Sequence, residues 1–184
     1  KHWSRGLGDV YKRQKLTLRP TRDEDEPFLR QLKQEEDVER LFLDHWAPDQ
    51  EDLKEKVIES QFKAHERYYK KDINWDNKPC VIEMNGTPIG RMTVCQNAEE
   101  IRLADIVISK NFRGMGIGEA MIEANKQEAR ASKRPIRLHV DRLNPALAFY
   151  ERMGFRLIED RESHFFMEWV PENMQGNTLY FPGK

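Results

Sequence analysis

The stretch "ISKNFRGMGIGEAM", residues 108–121, sets glycines at alternate positions, Gly114, Gly116 and Gly118, between an apolar run and a helical one. A strand, a glycine loop and a helix in that order constrain the chain to an anion-binding turn. The helix start leaves backbone N–H groups unused and carries the positive end of the dipole, and glycines let the chain curl close with no side chain in the way. Arg113 adds a positive charge and Lys110 can add another. This chemistry asks for a di- or triphosphate. A nucleotide P-loop needs Lys followed by Ser or Thr at a set spacing, which is absent. A dinucleotide fingerprint also fails, because its last glycine would fall on Glu119 or on Met121. Asp141, ending the next strand, keeps a ribose-gripping reading open, but only 43 residues (142–184) follow it, too few for the rest of such a sheet.

A chain of 184 residues suits one domain with a full core. With 31 Lys+Arg against 32 Asp+Glu, no net field draws it to nucleic acid or to an anionic membrane. Cys80 and Cys95 belong to no metal-binding cluster, so no metal is expected. A two-residue turn at Asn85-Gly86 sets Cys80 against Arg91 rather than Cys95, so no disulfide is expected. No apolar run is long enough to span a membrane and no signal core opens the chain, which makes the cytoplasm the expected location. Residues 1–14 have no period, and "DVYKRQ" resembles a translated sequencing-adapter end; they read as a non-native extension. The domain is expected over 15–170 and a turn-rich tail over 171–184.

Residues 15–19 alternate as a strand, and "RDEDEPFLRQL" gives an acidic first turn and then a helical face. "DQEDLKEKVIESQFKAHERYYKK" reads as a long amphipathic helix. "KPCVIEM" and "PIGRMTVCQ" are strands joined by the Asn-Gly turn, followed by the strand "EIRLADIVIS". After the glycine loop come a helix through Ala131, the strand "PIRLHV", the helix "NPALAFYERM" stopped by Gly154, and the strands "GFRLIED" and "HFFMEW". The order is β-α-α-β-β-β-α-β-α-β-β.

Two motifs in this order carry a resemblance. "FRGMGIG" is similar to the R/Q-x-x-G-x-G/A signature of the GNAT superfamily of N-acetyltransferases, and "NPALAFYERMGF" resembles its second acyl-CoA motif. The resemblance covers roughly residues 15–169. It implies an α/β fold with a mixed, mostly antiparallel sheet and helices on both faces. It also implies acetyl-CoA as acyl donor, its pyrophosphate on the N–H groups of Arg113, Gly114, Met115, Gly116, Ile117 and Gly118. The strand ending at Ile106, Val107 and Ile108 should splay from "RLHV", with a bulge, and offer amides to the pantetheine arm. Asn144 matches a residue that contacts coenzyme A, and Tyr150 one that protonates the departing thiolate.

On physics alone, Asn144-Pro145 is a helix start and Tyr150 a packed aromatic. The implied reaction is direct attack of an amine on the thioester. It needs a neutral amine, and a lysine-like amine has a pKa of about 10.4, so a base or a desolvating pocket must take its proton. Asp105 is the candidate base, with a structural acceptor as the even alternative; Glu83, Glu99 and Glu100 are less favoured. A backbone N–H near Val107 or Ile108 would stabilise the carbonyl oxygen. The acceptor stays open: a small amine, an aminoglycoside-like compound, an amino acid, or a protein N-terminus or lysine. A non-catalytic acyl-CoA-binding module is the alternative reading, and a nucleotide-dependent oxidoreductase a more distant one.

Residues 23–55 hold thirteen Asp/Glu against four Lys/Arg, which reads equally as steering for a cationic amine or as a solvated face. Trp46 and Trp75 lie in loop-like segments, which the family resemblance implies can line an acceptor pocket and which can equally cap a helix. His65 falls on an apolar stripe, and His139 and His164 have no metal-binding partner in sequence. The oligomeric state is open, a homodimer through a flat apolar edge near the last strands included.

Overall fold

The computed structural model describes residues 15–40, 45, 48–57, 59–60, 76–142, 144–161 and 164–177. The expectations for residues 1–14, Trp46, His65, Trp75 and the tail from 178 fall outside them. The elements are β1 (Leu16–Pro20), α1 (Glu26–Arg40), α2 (helical at 51–57 and 59–60), β2 (Asp76–Met84), β3 (Thr87–Gln96) and β4 (Ile101–Ile108). They continue with α3 (Ile117–Ser132), β5 (Ile136–Asp141), α4 (Leu147–Arg152), β6 (Arg156–Arg161) and β7 (His164–Trp169). The strands form one seven-stranded sheet in the order β1-β2-β3-β4-β5-β7-β6. Pairing is antiparallel for β1 with β2, β5 with β7 and β6 with β7, and parallel for β4 with β5. This is the expected mixed, mostly antiparallel sheet. None of the described helices is long and apolar enough to cross a membrane.

Packing divides the chain into two compact units, residues 1–93 with 105–117 and residues 94–104 with 118–184. In the first unit, Asn85 and Gly86 take φ of 52° and 82°, the left-handed pair that a tight hairpin between β2 and β3 requires. Asn85 also closes β1 against β2, exchanging bonds with the Lys15 backbone at 2.9 and 3.0 Å. The acidic entry to α1 serves mainly as a cap. The buried Asp25 carboxylate accepts from the Arg22 N–H at 2.8 Å and takes both Arg19 terminal nitrogens at 2.7 Å, the charge-assisted form of a cap. Leu32, Val81, Ile82, Met84, Ile89, Met92 and Ile117 are the buried apolar side chains among the unit's described residues.

In the second unit β5 alternates cleanly, with Ile136, Leu138 and Val140 buried and Arg137, His139 and Asp141 facing outward. Met121, Ile122 and Ala129 of α3 are buried with them in that unit. Helix α4 stops as its sequence dictates. Gly154 has φ 82°, its N–H bonds Glu151 at 2.9 Å, and the next N–H, of Phe155, reaches back to Tyr150 at 3.0 Å. That is a Schellman ending. On the edge strand β6 the register with β7 slips between Leu157 and Glu159, leaving Ile158 bulged.

A β-carbon on Gly154 would meet Trp169 at an ordinary 3.5 Å, so the cost of replacing the glycine is conformational. Gly154→Ala is expected to destabilise the fold by about 1–2 kcal/mol, read as a lower midpoint in urea denaturation with an unchanged slope.

Candidate active site

The loop between β4 and α3 is built from its glycines. A short turn over Lys110–Phe112 follows Ser109, whose N–H bonds the Ile89 carbonyl at 2.8 Å. Gly114 and Gly116 then take φ of 75° and 77°, a conformation that other residues enter only with strain. A β-carbon at either would find nothing within 4 Å. Open space therefore lies over both, at the start of a helix whose first N–H groups have no partner in the helix itself. Gly118 is different: it is helical, and a β-carbon there would lie 3.4 Å from the Phe149 ring. Met115 is half-buried and Ile117 buried, which anchors the loop between its open glycines.

Beside the loop, the half-buried Ile106, Val107 and Ile108 end β4. The parallel register of β4 with β5 covers three pairs, Ile101 to Leu103 against Ile136 to Leu138, whereas β4 runs on to Ile108 and β5 to Asp141. On the β3 side, a β-carbon on Gly90 would lie 2.5 Å from the Val107 carbonyl oxygen. A side chain has no room against an oxygen this close, which explains the glycine.

Asp105 is engaged. Its Oδ2 accepts from Arg91 Nε at 2.5 Å, and Arg91 Nη2 donates to Glu36 Oε2 at 2.7 Å. Lys33 Nζ stands 3.4 Å from that same oxygen and donates to Asp37 Oδ1 at 2.5 Å. Lys33, Asp37 and Arg91 are buried, and the Asp105 side chain is 13% exposed, so the network is largely closed to water. Burial alone would lower the Arg91 pKa, but the Asp105 and Glu36 carboxylates outweigh it and raise the guanidinium above its ordinary value. Of the substitute bases, Glu83 and Glu100 are in ion pairs and Glu99 is exposed. Glu83 accepts from Arg19 at 2.6 Å and from Thr17 at 3.3 Å, and the buried Glu100 is gripped by Arg102 and Arg137. Glu99 is exposed in the β3–β4 turn, which its N–H closes onto Asn97 Oδ1 at 2.8 Å.

In the second unit Tyr150 is buried on α4, its ring 5.3 Å from Phe149 and 5.8 Å from Phe155 between centroids. Asn144 lies two residues before Ala146, the residue that caps the helix. Its Oδ1 accepts from the Ala146 N–H at 2.8 Å, forming a side-chain turn. Helix α4 starts only at Leu147, whose N–H bonds the Asn144 carbonyl at 3.1 Å.

Residues 36–155 match the profile of the acetyltransferase (GNAT) family. The chain belongs to the GNAT acetyltransferases. Solved structures share the fold. The PaiA N-acetyltransferase of Thermoplasma acidophilum, determined with coenzyme A, is 19% identical with a TM-score of 0.58, covering 85% of this chain and 99% of its own. The ribosomal-protein-S18-alanine N-acetyltransferase of Escherichia coli is 20% identical with a TM-score of 0.57, covering 91% and 100%. An acetyltransferase of Thermus thermophilus is likewise 20% identical at 0.57, covering 84% and 96%. Among curated proteins none matches the sequence.

Two features of this acetyltransferase differ from the sequence reading. Arg113 and Lys110 do not stand as isolated cations: both meet Glu39, at 2.8 and 3.5 Å. Arg91 and Glu36, which hold Asp105, were not singled out, although a charged residue inside the apolar run of β3 is a signal that a buried partner exists. Gly90→Ala must displace the Val107 carbonyl and is expected to cost about 1–3 kcal/mol, measured by chemical denaturation.

Proposed function

We propose that this GNAT acetyltransferase moves an acetyl group from acetyl-CoA to a primary amine by direct attack in a ternary complex. The observation that carries the reading is the loop of Gly114 and Gly116, left-handed and open above, leading into the N-terminus of α3. That is a cradle a β-carbon would fill, and its donors are backbone N–H groups, which suit a pyrophosphate. The coenzyme A bound in the Thermoplasma neighbour supports the same assignment.

When bound, acetyl-CoA supplies an acetyl thioester. The N–H groups of Arg113 to Gly118 hold the pyrophosphate, and the amides of Ile106, Val107 and Ile108 hold the pantetheine arm; Asn144 adds a contact to coenzyme A. The amine must lose a proton before it attacks, since the ammonium form has no lone pair; Asp105 is the candidate to take it, directly or through one water, against the hold of Arg91 on its carboxylate. The N–H of Val107 or Ile108 donates to the carbonyl oxygen as it gains charge. Tyr150 donates its phenolic proton to the departing sulfur, and the proton that the nitrogen sheds on becoming an amide restores the phenol. No side chain is acylated, so neither cysteine is needed as a nucleophile. The acceptor is a primary amine of a class to be found by screening.

Thermal unfolding with acetyl-CoA, coenzyme A, NAD and ATP tests the reading first. A ligand at 100 times its dissociation constant adds about 2.7 kcal/mol, so coenzyme A and acetyl-CoA are expected to raise the midpoint and NAD and ATP to leave it unchanged. Gly116→Val is expected to abolish the shift, because it combines a disallowed φ with a side chain in the open space. Tyr150→Phe is expected to lower thiol release with an amine about 100-fold with little change in coenzyme A affinity. Binding without thiol release from any amine would support the non-catalytic module, and unchanged activity in both variants would remove the site assignment.

A further inference from the structure

Arg113 opens the glycine loop, and its guanidinium is held at two ends. Nε donates to the Ile108 carbonyl at 2.9 Å, where β4 stops, and Nη1 donates to Glu39 Oε2 at 2.8 Å in the last turn of α1. Lys110 Nζ stands 3.5 Å from the other Glu39 oxygen. A single carboxylate thus joins both cations at the loop entrance. The Arg113 hydrogen bond, aided by the charges of Arg113 and Lys110, holds the Glu39 carboxyl below the usual carboxylate range despite some burial.

We infer that Glu39 and Arg113 form a strap that positions the glycine loop, with Glu39 a positioning residue and the Arg113 side chain an anchor rather than a phosphate ligand. This rests on the cofactor reading of the loop given above. The Nε bond fixes the guanidinium to the end of the strand from which the loop departs, and the Glu39 bond ties that same point to α1 of the same unit. Phosphate recognition then falls to the backbone N–H groups, whose directions depend on how the loop is held. The competing view, that Glu39 merely lies near the loop, has the opposite sign. A nearby carboxylate repels a phosphate, so its removal would tighten binding.

The test compares the full chain with Glu39→Ala, Glu39→Gln and Arg113→Lys. Amide exchange over residues 113–118 is measured without ligand, and coenzyme A affinity by calorimetry at physiological salt. Glu39→Ala and Arg113→Lys, whose single ammonium cannot span both acceptors, are expected to speed exchange and to weaken binding, each about two- to fivefold, the scale of an exposed ion pair. Glu39→Gln, which keeps an acceptor, should fall between them and the parent. Unchanged exchange in Glu39→Ala overturns the strap whether or not coenzyme A binds. Tighter or unaltered coenzyme A binding in that variant overturns it as well, provided the parent binds. Faster exchange in Glu39→Ala, where the parent itself binds no coenzyme A, leaves the strap standing and removes the cofactor reading instead.

Discussion

The guanidinium of Arg91 is buried on a central strand, and a buried cation is tolerated only where opposite charge meets it. Asp105 on β4 and Glu36 on α1 do so, from two sides. One head group therefore links three elements of the first unit, and breaking either pair would leave a charge stranded away from water. The network continues through Lys33 to Asp37, so the helix face that follows the acidic entry is committed to internal partners. The position of Asp105 is inherited from this lattice: the carboxylate is presented by its own strand and held by the next one.

The excess of acid over residues 23–55 takes on a different meaning in this light. Counted along the sequence, it is a field or a solvated face. In the structure Asp25 caps α1 and takes Arg19, Glu36 and Asp37 serve the buried cations, and Glu39 gathers Arg113 and Lys110. Carboxylates already met by cations contribute little to the long-range potential.

What the sequence made legible is what depends on short spans: the Asn85-Gly86 hairpin, the glycine loop before α3, the Gly154 stop and the alternation of β5. Each is decided by the allowed angles of a few neighbouring residues. The Arg91 to Asp105 and Arg113 to Glu39 pairs were not legible, because they join residues 14 and 74 positions apart and any of several acids satisfies the same pattern. The start of α4 was misplaced for a local reason. The Asn144 side chain bonds an N–H two residues on, which makes a turn of the proline step and delays the helix to Leu147. The loop offers backbone groups rather than side chains over its open glycines, which suits a fold shared with neighbours at only 19–20% identity.

The bulge at Ile158 bears on how this sheet meets the world. An edge strand offers a row of N–H and C=O groups to any passing chain, and a flat one invites strand-by-strand growth. Here the offer is interrupted at mid-strand, with the apolar Leu157 and Ile158 beside the break, 53% and 43% exposed. A second strand laid along β6 would lose its register within a few residues. Any association through this edge must then rely on side chains and not on continuing the ladder, which lets the surface stay sticky without becoming a template.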